Sequence, residues 1–501
     1  MFWNKFTKDV LKALAVICLI IGLCRVTSGI VVILIALMGA VFAMQRKPGY
    51  LAACYVMLPI LVSFNRALVG LSTLLVLSVR FGNMFMIAAM ILTGAGFHGR
   101  VRERLPILWL FAYCAVACIS SMDGWMPLIS YLKIAQYALF LIGLLFVTRI
   151  LQQSDEGLYQ LRCVFMALAV IFVCGSLLVR FIPSIGYSMQ IGNYARYGVD
   201  VQGQEIVAME GVSLFNGMVA HSQMLAPTVA IMGGWALCDM LFVEKRLSWL
   251  HLGVLLPVPV LMYMSRSRGG LLEMAAVVGM AMFVCVPRAR LSRILRNKLT
   301  MAMTIAALGL VILGIIAQVR TQAISKWIRK TEDVHGDRRS LSEAFTGSRM
   351  EKIAYNLNDF KLNPLLGKGF QVVRGLDRAY RAKEVTWYSA SVEKGVTPYV
   401  ILGETGLLGS GVFLIFLFAF YSTCLRRRYL ALMTLFTCML VANLADSTFF
   451  SPGQLGGFLW IVSCVGGFGL DLISIRMAHG VWSGPDGRPS LLPPPPPPIF
   501  R

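Results

Sequence analysis

The sequence predicts an all-α, polytopic membrane protein. Of its 501 residues, 57% are hydrophobic and only 14% are charged, and the mean hydropathy is +0.73. An ordinary soluble domain carries about a quarter charged residues, so a soluble fold is excluded. Apolar runs of near-spanning length recur at 161–178, 249–264, 271–286, 301–317, 407–420 and 430–442. We expect helices, about twelve crossings in all, because backbone that faces lipid must satisfy its own hydrogen bonds.

Basic residues are concentrated in the connections between apolar runs, which predicts the orientation of the chain. Short basic connections occur at 46–47, 100–104, 245–246, 288–298 and 426–428. The positive-inside rule assigns them to the cytoplasmic side of the membrane. Orientation and anionic lipid headgroups then explain the net charge of +22, and we expect membrane lipids rather than nucleic acid as partners.

Counting crossings outward from these connections predicts the order of segments. Transmembrane helices fill 1–182, 213–318 and 398–476, a smaller external loop spans 183–212, a large external loop with short helices spans 319–397, and a cytoplasmic Pro-rich tail spans 477–501. The large loop has more Lys and Arg than Asp and Glu, which indicates an anionic substrate. A generally basic proteome or anionic outer-leaflet lipid is the alternative. The tail's proline run either recruits a proline-binding partner or forms a solvated end.

The segment between the first two basic connections breaks the parity of crossings. An even number is required there, yet three short apolar segments occur, at 51–61, 67–79 and 84–92. We expect one of them to lie in the membrane interface or to fuse with its neighbour.

The cysteines predict no chemistry of their own. Twelve are present, mostly within apolar runs, with no CxxC motif and no His/Cys cluster. They are typical of small buried apolar residues, so we expect neither a disulfide framework nor a metal site, and no cofactor.

The motif Ser265-Arg-Ser-Arg-Gly-Gly270 follows an apolar run at the predicted external face. Guanidinium groups at a membrane face are costly unless they are paired, and their fork geometry suits a phosphate or diphosphate. Arg266 and Arg268 are therefore candidate ligands of such a group. Snorkelling of both side chains to the interface is the alternative.

Further candidate binding residues lie around the two external loops. Arg349 follows Gly347-Ser348 and precedes a predicted short amphipathic helix at 350–360, which ends at the turn-rich sequence Asn363-Pro-Leu-Leu-Gly-Lys-Gly-Phe370. His221 and Gln223 lie where the smaller loop meets the next helix, and Arg196 lies within that loop. Polar groups at such a place are functional candidates. A solvated arginine and a histidine paired with a backbone carbonyl are the alternatives.

Glu404 is a carboxylate within an apolar context, in the sequence YSASVEKGVTPYVILGETGLLG at 388–409. An ionised carboxylate there must be paired, or else it is protonated, and we expect a salt bridge to an arginine. Glu393 and Lys394 lie just outside the membrane, within reach of the same place.

In this order, the motifs around His221, Arg268, Arg349 and Glu404 resemble those of the bacterial O-antigen ligase and polymerase family, over about residues 211–411. The resemblance implies a GT-C-like, metal-independent inverting glycosyltransferase of the inner membrane. Such an enzyme transfers a glycan from an undecaprenyl-diphosphate carrier to an acceptor hydroxyl on the periplasmic face. It further implies that Arg268 binds the diphosphate with Arg266 beside it, that Arg349 lies near the sugar or diphosphate, and that Glu404 holds loop and helix in register.

The chain departs from the family pattern at one place. Family ligases carry a His-Asn pair eight or nine positions before the glutamate motif, and that histidine is their proposed base. Here Gly395 and Val396 occupy those positions. Glu393 is then the nearest group able to accept a proton, and Lys394 could support the departing diphosphate. The missing pair favours a polymerase over a lipid A-core ligase.

Two other functions fit the same sequence features. A polysaccharide or lipid-carrier transporter would also combine many helices with intramembrane charge. A non-catalytic subunit of a polysaccharide export complex would tolerate loss of the His-Asn pair. For an enzyme, the expected partners are a polyprenyl-diphosphate-linked glycan, an acceptor glycan or lipid, and export or chain-length proteins.

Overall fold

The computed structural model describes most of the chain; the predicted crossing at 301–317 and the basic connections at 100–104 and 288–298 lie outside the described residues. The described residues are 5–27, 30–69, 73–93, 106–182, 185, 187–189, 213–220, 222–246, 248–265, 267–285, 341–372, 395–445, 447–452, 454–480 and 482.

The first part of the chain forms eight helices in sequence order. They are α1 (Lys5–Thr27), α2 (Ile30–Met44), α3 (Pro48–Ser63), α4 (Arg66–Val69), α5 (Thr73–Leu92), α6 (Trp109–Ser121), α7 (Pro127–Leu151) and α8 (Asp155–Ala169). A π-helical turn (Val170–Gly175), an α-helical turn (Ser176–Leu178) and a 3-10 turn (Val179–Phe181) prolong α8.

The second part adds nine helices among the described residues. They are α9 (Ser222–Cys238), α10 (Trp249–Leu255), α11 (Pro257–Met264), α12 (Arg268–Cys285), α13 (Leu341–Leu362), α14 (Thr397–Arg427), α15 (Leu430–Ala445), α16 (Gln454–Ile461) and α17 (Phe468–Ala478). A π-helical turn, Asp239–Glu244, prolongs α9, and another, Val462–Gly467, joins α16 to α17.

This architecture confirms the prediction of a mainly helical chain and is compatible with a membrane protein, while the number of about twelve crossings stays a prediction. Six helices of the described chain are long and apolar enough to cross a membrane, and seven shorter apolar helices of 10–17 residues accompany them. The structure adds a feature that the all-α prediction lacks. Two short antiparallel strands pair around the predicted smaller loop, β1 (Tyr187–Met189) near its start and β2 (Ser213–Phe215) directly after its end, with Ser188 opposite Leu214.

In the region where three apolar segments were counted, part of the second segment is fused with the third. The 100–104 connection that closes this region lies outside the described residues. Residues of the second and third apolar segments share one continuous helix, α5, which runs through Arg80 and Asn83 without a break. Only the four-residue α4 precedes it. Two apolar helices, α3 and α5, therefore occupy the region in which three segments were counted.

The helix within the large loop, α13, is longer than predicted. The expected helix covered 350–360, whereas α13 begins at Leu341 and includes Gly347. A single glycine within a helix costs only about 1 kcal/mol, so it did not end the helix. The predicted stop is confirmed: after Leu362 the side chain of Asn363 accepts a hydrogen bond from the Leu366 N–H (3.2 Å).

The described short basic connections, 46–47, 245–246 and 426–428, lie at one end of the bundle, which we call the basic end. Beside the 46–47 connection, Gly49 packs directly against Gly157 of α8. Beside the 426–428 connection, the carboxylate of Asp471 accepts hydrogen bonds from the N–H groups of Ala431 and Leu432, both at 2.9 Å. Arg476, one turn beyond Asp471, pairs with Asp155 at the start of α8.

The opposite end, which we call the loop end, gathers the connections predicted to be external. The Asn65 N–H after α3 donates to the carbonyl of Met218, in the turn between β2 and α9 (2.8 Å). The Trp125 N–H between α6 and α7 donates to the Lys368 carbonyl of the large loop (3.2 Å). The two sets of connections therefore lie at opposite ends of the bundle.

An aromatic cluster fills the core just inside the loop end. Phe450 stacks on Tyr113 with ring centroids 4.6 Å apart, and it meets Phe370 and Phe413 edge-on at 5.7 and 5.9 Å. Each of these rings is buried. The cluster gives the end of the large loop a rigid, fully packed base.

Candidate functional site

Helix α14 is interrupted at Gly406, close to the loop end. The glycine adopts φ 62° and ψ −158°, far from helical values, so α14 consists of an outer part, 397–405, and a longer inner part. A break of this kind leaves backbone N–H and C=O groups without partners inside the helix. Buried groups of this kind must find partners elsewhere.

The partners come from the segment that follows α13, residues 363–372. The N–H groups of Leu407 and Leu408 donate to the carbonyls of Pro364 and Leu365, at 2.9 and 3.2 Å. In return the Lys368 N–H donates to the carbonyl of Gly403 (2.9 Å). The segment therefore docks into the break and replaces the missing turn of hydrogen bonds.

Glycines make this docking sterically possible. Gly367, at φ 71°, lies so close to the Glu404 carbonyl that a Cβ would overlap it. Gly406 lies equally close to the carbonyl of Leu365. Both positions need a left-handed backbone and allow no side chain, which explains the glycines of both motifs.

Glu404, the carboxylate singled out in the sequence, lies at the centre of the junction and is only 1% exposed. Its Oε1 accepts a hydrogen bond from the N–H of Gln371 (2.8 Å). Its main-chain carbonyl accepts from the Ser120 hydroxyl of α6 and from the Gly369 N–H. Glu404 thus joins the docked segment to α14 and α6. A salt bridge from Glu404 to an arginine stays a prediction.

Gln371 is the most constrained residue of the junction. It adopts φ 52°, a left-handed conformation that is unusual for a residue other than glycine. Its carbonyl accepts a hydrogen bond from the Lys133 ammonium of α7 (2.8 Å), and its side-chain amide donates to the Phe450 carbonyl (2.6 Å). With the Glu404 contact, three different elements hold it in place. Such over-determined strain is typical of functional sites.

Lys133 is buried, with only 8% of its surface exposed. Burying an ammonium group costs several kcal/mol unless other groups compensate it, so a lysine is not retained there for packing alone. Because its ammonium donates to the Gln371 carbonyl, α7 also contacts the docked segment. We call Lys133, Gln371 and Glu404 together the clamp.

The far end of the loop is anchored a little further out. Gly395, at φ 86°, lies against the side chain of Lys352 on α13. The Thr397 hydroxyl then donates to the side chain of Asn443 in α15 (3.3 Å). Gly395 stands where the resembled ligases carry a histidine, and its left-handed backbone is one that residues other than glycine rarely adopt.

The helix that opens with Arg268 begins at the same end of the bundle. Gly270 of α12 packs against Ala226 in the first turns of α9, so the two helices start side by side. Gln223, also in that first turn, is exposed. Arg349 lies within α13, and the C-terminal end of that helix leads into the segment that contains Gln371 of the clamp.

Five of the predicted site residues lie outside the described residues: Arg196, His221, Arg266, Glu393 and Lys394. Their roles stay predictions. The structure brings Glu404 together with the turn that follows α13, and it joins the start of α14 to α15 through Thr397 and Asn443. The starts of α9 and α12 lie beside each other.

Sequence reasoning missed Lys133, Gln371 and Ser120. For Lys133 a signal existed, because a single lysine within the apolar α7 is the kind of intramembrane charge that marks functional positions. Gln371 and Ser120 gave no such signal. Their roles depend on contacts with residues far away in the sequence.

No family model matches this chain, and no curated protein sequence matches it. Its architecture and site define the class: a helical protein with apolar helices long enough to cross a membrane, in which the segment after α13 docks into a broken helix.

Proposed function

We propose that the chain is a membrane-embedded glycosyltransferase that uses a polyprenyl-diphosphate-linked oligosaccharide. Within the O-antigen and exopolysaccharide pathways, a polymerase is preferred over a ligase. The observation that carries the proposal is the contact of Glu404 with Gln371, which ties the large loop to a membrane helix. A glycosyltransferase of the resembled family needs its loop fixed against the membrane, where a lipid-linked donor is presented.

The electrostatics of the loop end suit an anionic donor. Lys133, Lys352 and Lys368 all lie in or beside the junction. Arg268 opens a helix at the same end. Cations around a departing diphosphate lower the barrier most when they are held in advance in a water-poor site.

The proposed reaction is a direct displacement. An acceptor hydroxyl attacks the anomeric carbon, the bond from that carbon to the diphosphate oxygen breaks, and the configuration inverts. Glu393 takes the hydroxyl proton, and Arg268, Arg266 and Lys394 balance the charge of the released diphosphate. Arg349 contributes near the sugar or the diphosphate.

The proposed orientation follows from the two ends of the bundle. The basic end faces the cytoplasm and the loop end faces the periplasm of a bacterial inner membrane, as the positive-inside rule favours. A cysteine in place of Ser267 tests this directly. It should react with an impermeant maleimide added outside intact spheroplasts, and protection from the reagent would reverse the orientation.

A transfer assay tests the activity. Purified protein in proteoliposomes is given a polyprenyl-diphosphate-linked oligosaccharide, and products are separated by chain length. Chain extension with release of the carrier diphosphate supports a polymerase, whereas transfer to a second lipid acceptor supports a ligase. An inert protein that still binds the donor contradicts the enzyme and favours a transporter or an export subunit.

The variant Arg268→Gln tests whether the Arg268 guanidinium binds the diphosphate. Loss of that charge should lower kcat/KM by at least about a hundredfold, as for other removed transition-state ligands. Arg426→Gln, a charge removed at the basic end, is the control and should leave the rate unchanged. Equal rates for the two variants would contradict the role of Arg268.

A further inference from the structure

The inner part of α14 carries an exposed apolar stripe along one face. Leu407, Leu414, Phe418 and Leu425 are all more than half exposed, and Phe418 is 74% exposed. Their spacing is close to whole numbers of helical turns, which places them on the same side of the helix. A contiguous exposed apolar surface marks a site of contact with a membrane or a partner. Because α14 is one of the described helices that are long and apolar enough to cross a membrane, lipid is the partner that fits this stripe.

The length of the stripe relates the break in α14 to the edge of the membrane. The helix ends at the basic end with Arg426 and Arg427, which are exposed and belong outside the hydrocarbon core. That core is about 30 Å thick, and about 20 helical residues cross it at a rise of about 1.5 Å per residue. Counting this length back from Arg426 reaches Gly406. A tilt of about 20° changes the count by only about one residue. The break therefore lies at the opposite edge of the core.

The turn that docks into the break is apolar on its exposed side. Leu362, Pro364 and Leu365 are exposed, and Leu365 is 61% exposed. The Leu365 carbonyl accepts a hydrogen bond from the N–H of Leu408, which is also exposed, so the turn and the stripe on α14 lie side by side. A turn that faces water is normally polar. The exposed leucines of this turn therefore continue the apolar surface of α14 across the break.

The groups that flank the turn are typical of a membrane interface. Lys361 is exposed and directly precedes Leu362. A lysine can lay its aliphatic stem along apolar surface while its ammonium reaches the headgroups. On the other side of the docked segment, the Lys368 ammonium lies 5.8 Å from the centre of the Trp125 ring. Tryptophan is enriched at this level of a membrane. An apolar turn between two lysines fits hydrocarbon chains that are capped by phosphate headgroups.

From this arrangement we infer that the turn at 362–365 is a membrane anchor of the large loop, in contact with the acyl chains of bilayer lipids just below their headgroups. The docked segment then does more than replace the missing hydrogen bonds of α14. It also fixes the depth of the clamp at the headgroup level. The inference uses only contacts of described residues and does not depend on the proposed glycosyl transfer.

Fluorescence quenching in nanodiscs made only of phospholipid tests the anchor. Three single cysteines receive the same bimane label, in a Cys18→Ser background because Cys18 is the exposed cysteine among the described residues. Leu365→Cys reports on the turn. Phe418→Cys is the control within the core, about half-way along the stripe, and Arg246→Cys is the control in water at the basic end. Labelling of the background protein is subtracted.

The quenchers are aqueous iodide and lipids with a nitroxide either near the headgroup or near the end of the acyl chain. The label at 365 should be quenched at least about twice as strongly by the shallow nitroxide as by the deep one, because the turn lies near the edge of a core about 30 Å thick. The label at 418 should show the reverse order. Iodide should quench the label at 246 strongly and the label at 365 weakly.

Each other result at position 365 would overturn the inference. Strong quenching by iodide would mean that the turn lies in water. Protection from both kinds of quencher would mean that protein covers it, as a second copy of the chain would. Stronger quenching by the deep nitroxide would place the clamp inside the core. Leu362→Cys repeats the measurement at a second exposed position, and only variants that elute as a single folded species are compared.

Discussion

Arg162 donates two hydrogen bonds to the fully buried carboxylate of Asp239, from Nε at 2.6 Å and from Nη2 at 3.0 Å. The same Nη2 reaches Glu244 at 2.7 Å, and the ring of Phe6 covers the guanidinium at 4.1 Å. His251 completes the group through Nε2, 2.9 Å from Asp239. At the basic end, this network joins α1, α8, the turn after α9, and α10.

Arg162→Met should therefore destabilise the protein severely. The substitution leaves the Asp239 carboxylate buried beside His251 alone, and breaking a buried ion pair in this way costs about 3–5 kcal/mol. Thermal unfolding in detergent measures the loss. Lys12→Met, which removes an exposed pair with Asp9, is the control and should cost less than about 1 kcal/mol. Equal losses would mean that the buried network carries no special stability.

The Glu404 carboxylate should stabilise the fold chiefly by accepting the hydrogen bond from the Gln371 N–H. Glu404→Ala leaves the Gln371 N–H buried without its partner, at a cost of about 1–3 kcal/mol. Glu404→Gln keeps an oxygen at the same place and should lose clearly less. The unfolding temperatures of the two variants decide the question. If glutamine is as damaging as alanine, the charge of Glu404 and not its hydrogen bond is what stabilises the junction.

Gly406→Ala should be strongly destabilising, because the added Cβ meets the Leu365 carbonyl and the backbone is left-handed. The strain of that backbone alone is worth about 1–3 kcal/mol. Gly411→Ala, one turn further along α14, is the matched control, since nothing lies within 4 Å of its Cβ position. There alanine should stabilise the helix by about 0.5–1 kcal/mol. A harmless Gly406→Ala would mean that the docked segment is not rigid.

Gly395→His places a histidine where the resembled ligases carry one. We expect loss of folded protein and no gain of ligase activity, because φ is 86° there and the new Cβ would lie 3.0 Å from that of Lys352. Val396→Asn, at an ordinary φ of −82°, is the companion variant and should fold normally. A stable Gly395→His protein that transfers glycan to a lipid acceptor would contradict both the strain argument and the preference for a polymerase.

The fold was largely predictable because hydropathy constrains it directly. A run such as 430–442 allows little except a helix. The parity of the basic loops indicated that one of three short segments lies in the interface or fuses with its neighbour, and part of the second segment does lie in α5. Glu404 was also detectable, since a carboxylate in an apolar context always needs an explanation. These signals are local, or they depend on simple counting.

The clamp was not predictable for the opposite reason. Lys133 and Gln371 are 238 residues apart, and neither position carries a spacing that points to the other. The turn of residues 363–370 was recognised as an end of a helix, but not as an insert for a second, broken helix. That role becomes visible only in the structure, where the N–H groups that follow Gly406 donate to the carbonyls of Pro364 and Leu365.

The break at Gly406 also has a consequence for how such proteins can diversify. Residues around the break in α14 form hydrogen bonds and close backbone contacts with the docked segment. The inner part of this 31-residue helix instead packs against its neighbours in the bundle. A recombination that swaps external loops between homologues would succeed only if residues 363–406 travel as one block. The natural crossover point lies inside the helix, and chimeras joined at its first residue should misassemble.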